Sequence, residues 1–224
     1  MHEKLRELDE AIMCYQKALK REKDNFLANY RLGCALIKVN RREEGIECLN
    51  KAYKIDPDDL NTLVRLGEIY AKEDSKLREA ETMLKKALTQ DEEIPEAHMT
   101  LGRIYEKYGR NDEAIEYFKK GIKLSLAQNF QRGTLQGNFY LGCQYEKKKE
   151  LKQAIYHFKQ VLLHDQSHFG ACIHLATQLA NLGEFSKAEK YFKHCVKLDY
   201  TSVPAHFGLG KVLLHFEKNG PAFE

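Results

Sequence analysis

Two small-residue positions recur along this chain with one shared period, and that constrains its fold more than any other feature of the sequence. A Leu-Gly or Leu-Ala step ends at Gly33, Gly67, Gly102, Gly142, Ala176 and Gly210, at intervals of 34, 35, 40, 34 and 34 residues. A second series, Ala11, Gly45, Ala80, Ala114, Ala154 and Ala188, follows at intervals of 34, 35, 34, 40 and 34. The first series leads the second by 12 residues in four repeats and by 13 in the repeat containing Ala80. The apolar spacing around each small residue is helical: Leu66, Ile69 and Tyr70 share one face, as do Ala114, Ile115 and Phe118. Small residues at both places let the two helices of a hairpin approach closely, and larger residues three or four positions on fill the space beside them. Turn-forming residues fall between the helices, at Gly109 to Asp112 and at Gly183-Glu184.

Composition supports the helical reading and excludes several functions. The chain has 224 residues with only four prolines, no tryptophan and 31% charged residues. Its 36 basic and 33 acidic residues leave a net charge of +3, too balanced for a nucleic-acid binder. No apolar run reaches the length of a membrane span, and Met1 to Lys4 do not read as a signal peptide. The six cysteines, Cys14, Cys34, Cys48, Cys143, Cys172 and Cys195, lie inside helical patterns without a Cys-x-x-Cys pair. They are expected to be reduced thiols in a cytoplasmic protein.

The repeated residues resemble the tetratricopeptide repeat family. Leu66-Gly67 with Tyr70, Leu101-Gly102 with Tyr105 and Leu141-Gly142 with Tyr145 match the first half of its pattern. Ala114 with Phe118, Ala154 with Phe158 and Ala188 with Phe192 match the second, and Pro57 stands at the proline position. The tryptophan position of the family holds Asn29, Leu63, His98, Asn138, Cys172 and His206. The resemblance implies an all-α fold: an α-solenoid, a right-handed superhelix of antiparallel helix-turn-helix repeats with about twelve helices. The expected division is a half repeat over 1–25, repeats over 26–59, 60–94, 95–128, 135–168 and 169–202, and a half repeat over 203–224.

The 40-residue interval holds six extra residues near Gln128 to Thr134, expected to prolong the second helix of its hairpin until Gly133 breaks it. The last helix offers Leu209, Val212, Leu213, Leu214 and Phe216 without a following partner, with Gly220-Pro221 as its stop. A segment of a longer array is expected, with end-to-end packing of a second copy as the alternative.

In this family the first helix of each repeat lines the concave face. Transferred residue by residue, the resemblance implies an apolar column of Tyr30, Val64, Met99, Phe139, Ile173 and Phe207. Beside it runs a mixed column of Cys34, Glu68, Arg103, Cys143, Thr177 and Lys211. One turn further lie Lys38, Lys72, Lys107 and Lys147, a column that ends at Asn181 and His215. Such a wall suits a peptide or protein segment carrying apolar and acidic side chains, with apolar anchors supplying most affinity and lysines steering. The carboxylate clamp of chaperone-binding members is not expected, since its asparagine sites carry Arg31 and Cys34, Arg65 and Glu68, and Thr100 and Arg103.

No catalytic constellation accompanies the repeats. The glycines do not form a phosphate-binding loop, and pairs such as Asp58-Asp59 and Glu92-Glu93 fall at helix ends, where they cap. His157, His164 and His168 are the histidine cluster. They are expected at the surface, because the helix should end between His164 and His168. No metal and no cofactor are expected. The sequence therefore reads as a non-catalytic protein-interaction scaffold. A partner-recruiting region of a larger enzyme or complex and a self-assembling solenoid are the alternatives.

Overall fold

The computed structural model describes residues 2–219, with side chains from 7 to 217; Gly220-Pro221, the expected stop of the last helix, lie outside the described residues. Among the described residues are twelve α-helices, one short 3₁₀ turn and no strand. The chain forms two compact units, Met1–Ile104 and Tyr105–Glu224. The first holds α1 (His2–Arg21), α2 (Phe26–Lys38), α3 (Arg42–Ile55), α4 (Leu60–Tyr70), the 3₁₀ turn Asp74–Lys76, α5 (Leu77–Gln90) and most of α6 (Pro95–Lys107). The second holds α7 (Asn111–Ala127), α8 (Gln131–Lys147), α9 (Leu151–His164), α10 (Phe169–Asn181), α11 (Phe185–Leu198) and α12 (Val203–Asn219).

Two kinds of turn, repeated, define the helix ends. After α2, α6, α8 and α10 the chain passes through a left-handed residue: Asn40, Gly109, Lys149 and Gly183, with φ of 65°, 74°, 59° and 84°. The next N–H then closes back onto the helix, from Arg41 to Leu36 O, Arg110 to Tyr105 O, Glu150 to Tyr145 O and Glu184 to Leu179 O, each at 2.9 Å. Glycine adopts this conformation freely, whereas a side chain there costs about 1–2 kcal/mol. After α3, α5, α9 and α11 the turn is built by an aspartate instead. The Oδ1 atoms of Asp56, Asp91, Asp165 and Asp199 accept the N–H of the residue two places on, at 2.8–3.0 Å. Side chains of Asn25, Asp59 and His168 then cap α2, α4 and α10 by accepting from Ala28, Thr62 and Ala171.

The insertion departs from the sequence expectation. Ser125 stands where the other repeats carry the turn aspartate, so α7 runs on to Ala127 and the chain uses the left-handed ending instead, with Asn129 at φ 54° and Phe130 N–H on Ser125 O at 2.7 Å. The extra residues therefore lengthen two helices, α7 and α8, each 17 residues long. Gly133 does not break a helix. It sits in the first turn of α8, buried, where a Cβ would meet Ser125 and the Phe130 ring.

Within the hairpins the small residues do what their spacing implied. A Cβ on Gly33 would lie 2.8 Å from the Gly45 carbonyl oxygen, and one on Gly45 would lie 2.9 Å from that of Gly33, so α2 and α3 touch backbone to backbone. Gly67 receives Leu84 of α5, and Gly142 receives the Phe158 ring of α9. Gly210 departs from the series: nothing lies within 4 Å of its Cβ position, and Gly208 makes the close approach of α12 instead, to Phe192. The first unit carries a core cluster of Ile12, Leu32, Ala35 and Leu36. The second has a larger core built around Phe158, Leu175, Leu179 and Phe192. In that core the Cys172 and Cys195 sulfurs stand 2.7 Å apart, across α10 and α11. Among the described residues no helix is long and apolar enough to cross a membrane.

His157 is not the surface residue expected from sequence. It is half-buried between α8 and α9, its Nδ1 2.9 Å from Asn138 Oδ1 and its ring stacked on Tyr145. Burial, reinforced by Lys119, pushes its pKa down from 6.5 to about 4. His164 ends α9 and His168 caps α10, so these two do not share a helical turn.

Gly142→Ala, which forces a methyl against Phe158, is expected to lose about 1–3 kcal/mol in urea unfolding. Gly210→Ala, facing open space, is expected to gain about 0.5–1 kcal/mol. A second expectation concerns pH. The unfolded chain takes up the His157 proton near pH 6.5 and the folded chain only near 4, so the folded state binds fewer protons between these values. This contribution is fully present above pH 6.5 and is lost as pH falls toward 4. Unfolding of His157→Gln should show a shallower loss of stability over that window than the wild-type chain.

Candidate functional site

The first helices of the repeats carry the residues that the sequence placed on the binding wall, except Lys72, which follows the end of α4, and the two units are taken separately. In the first unit, α2 presents Tyr30 and Cys34 and α4 presents Val64 and Glu68, at the same two distances from their caps Asn25 and Asp59. Tyr30 is half-buried beside Phe26, rings stacked at 6.3 Å. Burial, with a lesser push from Cys34, raises its hydroxyl pKa to about 12, so it is a neutral hydrogen-bonding phenol. Arg65 of α4 lies close enough to Cys34 of α2 to interact with it electrostatically and pairs with Glu68 at 3.1 Å. Side chains of successive first helices therefore touch, and Glu68 does not present an uncompensated charge. Lys38 ends α2 and Lys72 follows the end of α4; both are exposed. Arg103 is partly buried on α6.

Met99 does not belong to an accessible wall. It is only 4% exposed and sits in the core. The cause is that α6 is covered on every side there: His98 and Thr100 are buried along with Ala97, Leu101 and Ile104.

In the second unit α8 presents Phe139, Cys143 and Lys147, and α10 presents Ile173 and Thr177. Phe139 is a packing hub instead of an exposed anchor. Its ring lies 6.0 Å from Phe158, 4.9 Å from His168 and 6.0 Å from His174, and Gly170 packs against it. Ile173 leans on the same core, and Thr177 turns its hydroxyl onto Ile173 O at 2.9 Å. Lys147 pairs with Glu106, so the lysine column is partly neutralised within its own wall. Lys107, on the last turn of α6, is exposed. On α12, Phe207 is 64% exposed and Lys211 Nζ stands 4.6 Å above its ring.

On this face Cys143, which the sequence placed on the wall, meets three residues that it did not single out: Glu146, His174 and Gln178. Cys143 and Glu146 lie one turn apart on α8. His174 Nδ1 of α10 is 2.7 Å from Glu146 Oε2, and Gln178 Nε2 donates to Glu146 Oε1 at 2.6 Å. Gln178 is 2% exposed, and the His174 ring is stacked on Phe158 at 5.2 Å. Burial first, then Glu146 and Glu106, raise the Cys143 thiol to about 12. The signal in the sequence is one of register. His174 occupies the place of Arg65, and Cys143 the place of Cys34, so the pair that meets across α2 and α4 meets again across α8 and α10 with a different chemistry.

Phe139→Ala is expected to cost up to about 3 kcal/mol in thermal or urea unfolding, the low end for a core ring because Phe139 is only partly buried. Phe207→Ala should stay within about 0.5 kcal/mol of wild type, as exposed positions do.

Comparison with known proteins places this geometry. Sequence models described as tetratricopeptide repeat match residues 71–124 and residues 1–25, 27–59 and 169–202. No curated protein matches the sequence. A solved chain of the APC/C hetero-tetramer Cut9-Hcn1 has TM-score 0.76 and 16% identity, over 92% of this chain and 39% of that one. This chain thus spans well under half the length of that protein. PilW, a widely conserved type IV pilus biogenesis factor, has TM-score 0.74 and 19% identity over 93% of this chain and 91% of its own. YrrB, described as a TPR protein with an unusual peptide-binding site, has TM-score 0.63 and 20% identity, over 91% of this chain and 97% of its own.

Proposed function

The chain belongs to the tetratricopeptide repeat family, an all-α solenoid class of protein-interaction scaffolds, and on that premise we propose that the faces of its first helices hold a segment of another protein. The observation that carries this reading is the contact between successive first helices. Cys34 meets Arg65 across α2 and α4, and Glu146 meets His174 across α8 and α10. Each unit thereby offers a continuous half-buried strip with polar groups already oriented, suited to an extended or helical ligand.

Affinity comes from the accessible apolar members, Tyr30 and Val64 in the first unit and Phe207 in the second, and orientation from exposed Lys38, Lys72 and Lys211. An acidic component in the ligand complements these lysines. Met99 and Phe139 support the strip from beneath. The likeness to a hetero-tetramer subunit of greater length favours a place within a larger assembly over action by a free-standing scaffold.

The test uses the full chain with two variants, Lys38→Glu/Lys72→Glu and Phe207→Ala/Lys211→Glu, checked for unchanged helicity. Partners captured by wild type are mapped by crosslinking from the first-helix faces. A loss of at least about tenfold in affinity in one or both variants is expected. Partners bound equally by all three forms, with crosslinks to the second helices or the turns, would remove the reading.

A further inference from the structure

The cluster on α8 and α10 has the composition and spacing of a transition-metal site. We propose that Cys143, Glu146 and His174 bind a divalent ion of the zinc class, with one coordination position left open toward the first-helix face. The ligand atoms of the three side chains lie within 4.8 Å of one another. A tetrahedral ion with bonds of about 2.0–2.3 Å holds its ligand atoms about 3–4 Å apart, a distance small side-chain shifts reach. Thiolate, imidazole and carboxylate together suit zinc and exclude magnesium or calcium, which take oxygen ligands.

Three features make this more than a coincidence of side chains. Cys143 and Glu146 are fixed on one face of α8, one turn apart, so two ligands share a rigid support. Glu146 is oriented from behind: Gln178, itself buried, holds Oε1 and leaves Oε2 turned toward His174. Such support of a ligating carboxylate from outside the coordination shell is what metal centres require. The His174 ring is stacked on Phe158, with its Nδ1 facing Glu146. The equivalent register in the first unit supplies the contrast. There Arg65 faces Cys34, and its fixed positive charge repels a cation.

The protonation balance is explicit. Glu146 binds as the carboxylate. His174 binds through Nδ1 as the neutral imidazole, its proton carried on Nε2. The Cys143 thiol loses its proton to solvent, and the ion supplies the charge that burial and the neighbouring carboxylates deny the free thiolate. One proton is released for each ion bound.

The experiment titrates the full reduced chain with Co²⁺ as a spectroscopic probe and with Zn²⁺ by calorimetry in buffers of different ionisation enthalpy. Wild type is expected to show a thiolate-to-cobalt charge-transfer band, tetrahedral ligand-field bands, and release of about one proton per Zn²⁺. Cys143→Ser should abolish the charge-transfer band, and His174→Ala should weaken Zn²⁺ binding about a hundredfold. Gln178→Met should weaken it about tenfold, the usual range for support behind a ligand. Cys34→Ser should leave the spectrum unchanged. Absence of the band from wild type, or its persistence at full intensity in Cys143→Ser or His174→Ala chains of unchanged helicity, would overturn the assignment.

Discussion

The close approach of paired helices at glycine and alanine is the constraint on which the rest of this structure depends. Where Gly33 faces Gly45, the two backbones come within reach of each other's carbonyl oxygens, and no larger residue fits at either position. Where Gly67 and Gly142 stand, a Leu84 or Phe158 side chain occupies the space that a Cβ would take. These contacts set the separation within a hairpin, and the separation in turn sets which side chains of consecutive first helices come into register. The turns keep that register. A left-handed residue after the first helices α2, α6, α8 and α10 and an aspartate after the second helices α3, α5, α9 and α11 reproduce the same chain reversals along the chain.

The candidate surface is a consequence of that register. A residue one place beyond the Leu-Gly step of one first helix meets the residue one place before the leucine on the next. In the first unit the pair is Cys34 and Arg65, tied to Glu68; in the second it is Cys143 and His174, tied to Glu146 and Gln178. One geometry carries two chemistries, a guanidinium-centred ion pair and a thiol–carboxylate–imidazole cluster. Burial acts on both. It raises the Tyr30 hydroxyl and the Cys143 thiol alike, and leaves both neutral in the folded protein. The strip is therefore less basic than a count of its lysines implies, since Lys147 is matched by Glu106 and Arg65 by Glu68.

Position in a repeat proved a weaker guide than the neighbours each residue keeps. Met99 and Phe207 occupy the same place in their repeats, yet one is in the core and the other 64% exposed. The difference comes from what packs around them: Met99 lies on a helix whose surrounding positions are all buried, whereas the corresponding side of α12 carries exposed Val203, Leu213 and Leu214. Phe139 is likewise held by four aromatic or imidazole rings contributed by α8, α9 and α10 and the turn before α10. Periodicity specifies which direction a side chain leaves its helix; it does not specify what it meets there.

What the sequence alone determined is therefore the local and periodic part of this protein. Helix type, hairpin pairing and turn placement follow from the spacing of small and apolar residues and from the chemistry of Asp, Asn and Gly at helix ends, which act over a few residues. The tertiary structure alone decided the rest. It placed the break of the long interval at Asn129 instead of Gly133, because Ser125, in the register of the other turn aspartates, lacks the carboxylate that forms those turns. It brought Cys172 to Cys195, and Cys143 and Glu146 to His174, across separations of 23 to 31 residues that no local pattern encodes. It also drew Met99 and Phe139 inward and left Phe207 outward, because burial is a property of the packed neighbours and not of a position in the repeat.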